Sequence, residues 1–119
     1  MYSPELLDHF QNPRNAGELP DANGCAEIEN PVCGDILRLT LNVHDGRITD
    51  IRFKAKGCVP AMACASALTT LARGKALSDA RTLTKEDISS SVGGLPQAST
   101  HAAQLALDAL NAALRQIKE

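Results

Sequence analysis

The chain has 119 residues, 44% of them hydrophobic and 22% charged, a balance that suits one globular domain, spanning 1–119, whose core needs neither disulfides nor a structural metal. A formal net charge of −2, without basic-and-aromatic patterning, gives no electrostatic ground for nucleic acid or an anionic membrane as partner. Aromatic residues are only 3%, so the core must be built from Ala, Leu, Ile and Val. The N-terminus MYSPELLDHF lacks a basic segment followed by an apolar one, and no apolar run approaches the ~18 residues that span a bilayer. A cytoplasmic setting follows, in which thiols stay reduced. The four cysteines, Cys25, Cys33, Cys58 and Cys64, then read as ligands, nucleophiles or core residues rather than as two disulfides.

Taken in chain order, the first element is a helix over Pro4–Gln11. Ser3 is a good N-cap, Pro4 suits the first helical position and Asn12-Pro13 ends the run. A loop rich in Gly, Pro, Asn and Asp follows to Gly24. Three strands come next: a short one over Ala26–Glu29, a second over Ile36–His44 and a third over Arg47–Lys56. In the second, Leu37, Leu39, Leu41 and Val43 alternate with Arg38, Thr40, Asn42 and His44. In the third, Ile51, Phe53 and Ala55 alternate with polar neighbours. Asp45-Gly46 between them is a hairpin turn signal. These strands predict an antiparallel sheet with one wet face and one face that needs a cover.

The remainder is helical. A helix over Pro60–Arg73 closes at Gly74; Ser78 and Thr84 each cap a short helix, the second broken by Gly93-Gly94. Ser99 or Thr100 caps a long helix to about Ile117, with Ala103, Ala106, Leu107, Leu110, Leu114 and Ile117 on one stripe. Strands followed by helices predict an α+β fold: a three-stranded antiparallel sheet with helices packed on one face.

Soft and titratable groups fall at three element junctions. Cys33-Gly34-Asp35 forms the turn into the second strand, with Gly34 free to bend the backbone. Cys58 stands where the third strand hands over to a helix, and unpaired N–H groups at a helix N-terminus favour thiolate. His101 lies in the first turn of the last helix. Two thiolates, one carboxylate and one imidazole make the four donors of a tetrahedral site. The other candidates carry blander readings. Cys25 packs neutrally before a strand, His9 is solvated or capping, His44 is on the surface and Met62 fills a core gap. Cys64 lies ~9 Å along the helix from Cys58 and ~240° round its axis, so it faces elsewhere and packs in the core.

Over nearly its whole length the chain resembles the IscU/NifU-type scaffolds on which iron–sulfur clusters are assembled. LLDHFQNPRNAG is similar to the family's D-H-F/Y-x-N-P-R-N-x-G, NPVCGD to its P-x-C-G-D, and RFKAKGCVPAMACAS to its F-x-x-x-G-C segment. The short span from Gly74-Lys75 to Leu95-Pro96 lacks the insertion of zinc-dependent SufU-like relatives. The resemblance implies a site of Cys33, Asp35, Cys58 and His101 that holds iron, or a labile two-iron two-sulfur cluster, for transfer to apo-proteins. A cysteine desulfurase and an iron donor would be the suppliers. Two departures stand out. Ala102 replaces the family's third cysteine after the His, and Leu95-Pro96-Gln97-Ala98-Ser99 replaces the L-P-P-V-K read by a dedicated Hsp70-type chaperone, so neither role carries over. Zinc in the same four donors, in a degenerate regulatory or structural homologue without cluster transfer, is the alternative function. A Cys58–His101–Asp35 enzyme is the third; it lacks a recognisable oxyanion hole, and the resemblance implies a scaffold rather than a catalyst. A homodimer that completes the ligand set is left open.

Overall fold

The computed structural model describes residues 2–31 and 34–117; Cys33 lies outside the described residues. Helix α1 spans Pro4–Gln11, strands β1, β2 and β3 span Gly24–Asn30, Asp35–His44 and Arg47–Lys56, and helix α2 spans Val59–Ala72. Helices α3 (Leu77–Ala80) and α4 (Lys85–Ser91), a 3₁₀ turn over Gln97–Ser99 and helix α5 (Thr100–Leu114) complete the fold. The sheet is antiparallel in the order β1-β2-β3, with α2 and α5 packed on it and on each other and α1 laid against α2. This is the α+β arrangement expected from the sequence.

Helix α1 starts where its signals say, with Ser3 accepting from the Leu6 N–H and Pro4 in the first turn. The β2–β3 hairpin turns at Asp45 and Gly46, with φ of 53° and 72°, the left-handed pair that a two-residue turn demands. Leu37, Leu39 and Leu41 are at most 1% exposed and pair with Ala55, Phe53 and Ile51 across the strands. A register shift between Asn42 and Val43 adds Ile48 to this face, which strict alternation from Ile51 would have turned outward. Helix α2 is buried on nearly all sides, because α1 covers the flank that the sheet and α5 leave. Its many alanines let those neighbours approach closely.

Four details depart from expectation. Strand β1 is longer than Ala26–Glu29, because Gly24 passes under α5: a Cβ there would lie 2.8 Å from the Ala113 carbonyl oxygen and 2.9 Å from Leu41 Cδ1. Ser78 is not the cap; α3 begins two residues earlier than such a cap would place it, behind Ala76, since the Leu77 N–H donates to the Gly46 carbonyl and fixes the chain there. Neither Ser99 nor Thr100 caps α5 with its side chain, and the helix ends at Leu114, three residues before Ile117. Nor is the second face of the sheet simply wet. The loop after α1 crosses it, with the Leu19 N–H donating to Thr40 Oγ1 at 3.1 Å and Glu18 paired to Arg38 at 3.0 Å, which leaves Thr40 only 3% exposed.

The sheet edges are managed rather than left open. Phe53 of β3 exchanges backbone hydrogen bonds with Asn15 and Gly17, and Ile48 does so with Gly74 and Lys75. At β1 the Gln116 side-chain amide bonds both backbone groups of Cys25, accepting at 3.1 Å and donating at 2.5 Å.

Candidate metal centre

Three of the expected residues meet at one end of the sheet. Asp35 opens β2, Cys58 stands between β3 and α2, and His101 is the second residue of α5. The β2–β3 pairing sets Ile36 opposite Lys56 and so brings the start of one strand beside the end of the other. Helix α5 returns its N-terminus to the same end. One potential ligand atom from each of Asp35, Cys58 and His101 lies within 4.8 Å of the other two. Among the described residues no other group of three His, Cys, Asp or Glu side chains comes so close. The set is therefore a product of topology, not of local sequence.

Asp35 is the centre of the arrangement. Its carboxylate is only 2% exposed. One oxygen accepts from the Cys58 N–H at 3.0 Å, while the other faces Cys58 Sγ at 3.4 Å and His101 Nε2 at 3.6 Å. Gly57 has φ +151° and Cys58 is the N-cap of α2, in extended backbone. Position at a helix N-terminus predicts a thiolate at Cys58. The surroundings override this: burial first, and then the Asp35 carboxylate, push the thiol above its ordinary range, against the N–H groups of Ala61 and of Cys58 itself. A cation placed among these groups would reverse that balance, because a metal-bound thiol gives up its proton.

Of the other described cysteines, neither joins this group. Cys64 is fully buried within the hydrophobic cluster, and burial followed by the nearby Cys58 pushes its thiol up to about 12. Its packing role is as expected. Cys25 is half-buried in β1, engaged by Gln116 through its backbone. His44 is exposed, as expected, whereas Met62 is half-buried and outside the core cluster, so it does not fill a core gap. Ala102, beside His101, is 1% exposed and belongs to the core.

His9 is neither solvated nor capping. Its Nδ1 meets the Oγ of the fully buried Ser66 at 2.8 Å, and burial, then Arg14, lower its pKa against a smaller pull from Asp8. Ser66 also accepts from the Arg14 N–H at 2.9 Å. Asn15, with φ 59°, donates to Thr69 Oγ1 at 3.1 Å, while its carbonyl oxygen accepts from Arg52 and Arg73. Sequence reasoning missed Ser66, Asn15, Gly57 and Gln116 as structural agents. A serine inside an Ala-rich helix was the one visible signal.

A cavity of about 490 Å³ lies elsewhere, lined by Lys85, Ser89, Leu95, Thr100 and Ala103 among others. It gathers no set of potential ligands. The cluster of donors, not the size of a hollow, marks the site.

Comparison with known proteins agrees with this architecture. The family described as NifU-like N terminal domain matches residues 1–119. The chain is 44% identical over 114 residues to the iron-sulfur cluster assembly scaffold protein IscU 1 of Archaeoglobus fulgidus, covering 96% of this chain and 74% of that one. It is 38% identical over 122 residues to the IscU scaffold protein of Azotobacter vinelandii, covering 98% and 94%. Among solved structures, a putative SUF-system scaffold from Fervidobacterium islandicum superposes with a TM-score of 0.81 at 18% identity, over 95% of this chain and 96% of that one. A NifU-like protein from Brucella abortus gives 0.77 at 22%, over 97% and 92%; at such identities these two speak for the fold. The matched family, the sequence relatives and the shared architecture agree, and the chain belongs to the NifU-like N-terminal domain family.

Proposed function

We propose that this protein is an iron–sulfur cluster assembly scaffold that receives iron and sulfide and passes the product to apo-proteins, with Cys33, Asp35, Cys58 and His101 as its ligands. The observation that carries the reading is the convergence of Asp35, Cys58 and His101 within 4.8 Å, in a chain 44% identical to a named scaffold protein. Cys33 enters through its place two residues before Asp35. Cluster and iron are cargo, and the ligand chemistry suits cargo. Thiolate and imidazole hold iron, while the buried carboxylate is a harder donor that binds it less tenaciously. A sulfur donor such as a cysteine desulfurase, an iron donor and the acceptor proteins are the partners this role requires. The domain is proposed to act as one unit over 1–119.

The same geometry argues against a Cys-His enzyme. A nucleophile must hydrogen-bond its base directly. Here the Asp35 carboxylate faces both the sulfur and the imidazole, and burial first, then that carboxylate, push the thiol up, the opposite of activation. A single zinc ion is the second reading, favoured by one observation: three mutually close donors suit one ion as well as they suit a cluster edge. No described helix is long and apolar enough to cross a membrane.

Anaerobic reconstitution with ferric iron and sulfide, which balances to the two-iron two-sulfur core without a further oxidant, tests the proposal. The expected product carries iron and acid-labile sulfide in equal amounts with a visible charge-transfer spectrum, and transfers both to an apo-ferredoxin. Zinc binding without any uptake of iron and sulfide would overturn the scaffold reading in favour of the zinc one.

A further inference from the structure

Glycines flank the site on both strands, and they differ in what they require. Gly34 has φ +73°, as the turn requires, and among the described residues a Cβ there would meet nothing within 4 Å. Gly57 is different. It is solvent-exposed, yet a Cβ on it would lie 2.1 Å from Asp35 Oδ1, 2.7 Å from Asp35 Cγ and 3.0 Å from Asp35 Cα. The three nearest heavy atoms all belong to one residue. The atoms that approach nearest belong to the carboxylate that bridges toward Cys58 Sγ and His101 Nε2. The missing side chain makes the space in which that carboxylate lies across the backbone and accepts from the Cys58 N–H.

We infer that Gly57 is a positioning residue of the metal centre: its bare Cα seats Asp35 as the oxygen donor, and so decides whether the site offers oxygen beside sulfur and nitrogen. The inference rests on the ligand set proposed above and adds to it a residue that ligates nothing. An added methyl group cannot be absorbed by a distant flexible tip, because the tip in question is the carboxylate itself. Asp35 must swing out of the site, losing the Cys58 N–H and its place between the sulfur and the imidazole. The backbone at φ +151° is strained for any side chain, so a purely conformational role for Gly57 is the rival account.

A double-mutant cycle with zinc as the probe separates the two. Apparent zinc affinity is read by competition with a chromophoric chelator for the wild type, Gly57→Ala, Asp35→Ala and the double variant. If Gly57 acts through Asp35, Gly57→Ala weakens zinc about 10-fold or more in the wild-type background, the scale usual for groups that orient a ligand. In the Asp35→Ala background the same substitution changes affinity by less than about twofold, within the scatter of independent sites. An equal loss in both backgrounds would mean that Gly57 matters only for its backbone, and would overturn the inference while leaving the ligand set intact. Should Gly57→Ala alone fail to fold, the clash with Asp35 is the predicted cause, and adding Asp35→Ala should restore a cooperative thermal transition. A double variant that stays unfolded overturns the inference as well. Absence of zinc binding by the wild type would instead fell the ligand set on which the inference stands.

Discussion

Two polar clusters border helix α2, one along its flank and one at its N-terminus, and they are finished differently. One is the knot formed by His9, Arg14, Asn15, Ser66 and Thr69; the other is Asp35, Cys58 and His101. In the knot, hydrogen bonds close at 2.8 to 3.1 Å: His9 to Ser66, the Arg14 N–H to Ser66 and Asn15 to Thr69. An ion pair between Arg14 and Asp8 at 2.6 Å completes it and holds the Asp8 carboxyl below its usual range. Only Arg14 Nη1 lacks a partner among the buried polar side-chain atoms described. At the other cluster the contacts among sulfur, imidazole and carboxylate run to 3.4 and 3.6 Å, beyond a good hydrogen bond for the nitrogen–oxygen pair. Side chains held at these longer separations leave room for a cation among them; the short contacts of the knot do not. The first cluster therefore fastens the N-terminal segment, and the second is the candidate site.

Substitutions should split along that line. The largest effect is expected from Cys58→Ala, which removes a thiolate from the ligand set. Zinc affinity measured by chelator competition should fall by about 100-fold or more, while the thermal midpoint of the metal-free protein changes little. Comparable affinity in the variant would remove Cys58 from the set. Ser66→Ala is the counterpart in the knot. It strips the partner from both His9 and the Arg14 N–H at a buried position, so it should cost about 1–3 kcal/mol in chemical denaturation with zinc affinity unchanged. Loss of metal from Ser66→Ala would join the two clusters functionally and break the comparison.

Cys64→Ser comes next. It puts a hydroxyl in a fully buried apolar setting, tempered by an i−4 carbonyl that the hydroxyl can reach along the helix, so about 1 kcal/mol of stability is expected to go. Iron and sulfide uptake should be unaltered, and abolished sulfur loading in this variant would assign Cys64 the role that Ala102 vacates.

The smallest effect is a pH dependence that belongs to the knot. The folded-state pKa of His9 lies below its unfolded value, so the unfolded chain binds the proton more readily. The stabilisation from neutral His9 is complete above the ordinary histidine pKa of about 6.5 and drains away as pH falls below it, levelling off beneath the folded value. Denaturation midpoints across pH 7 to 5, about the range in which histidine charges, should therefore drop more steeply for the wild type than for His9→Asn. Parallel profiles would show that His9 titrates alike in both states.

What could be read from the sequence follows the reach of each cause. Helix α1 and the β2–β3 hairpin were legible because Ser3-Pro4 and Asp45-Gly46 act within a few residues of themselves. The cap at Thr84 was legible for the same reason, and the structure adds Asp87 as its reciprocal partner. The start of α3 was not, since a carbonyl of the distant hairpin turn decides it. Likewise His9 finds its partner 57 residues away, and nothing in the first helix announces Ser66. At the site, Cys58 and His101 stood out by lying at element junctions. The service that Gly57 renders to Asp35 depends on two strands meeting end to end, which no local pattern encodes.

The central claim is that sulfur, nitrogen and oxygen donors from separate elements bind one metal centre. X-ray absorption at the zinc edge of the zinc-loaded protein tests it most directly. The ligand set predicts a four-coordinate shell with sulfur at about 2.3 Å from Cys33 and Cys58, and nitrogen and oxygen at about 2.0–2.2 Å from His101 and Asp35. A shell made only of nitrogen and oxygen, or one left unchanged by Cys58→Ala, would contradict it.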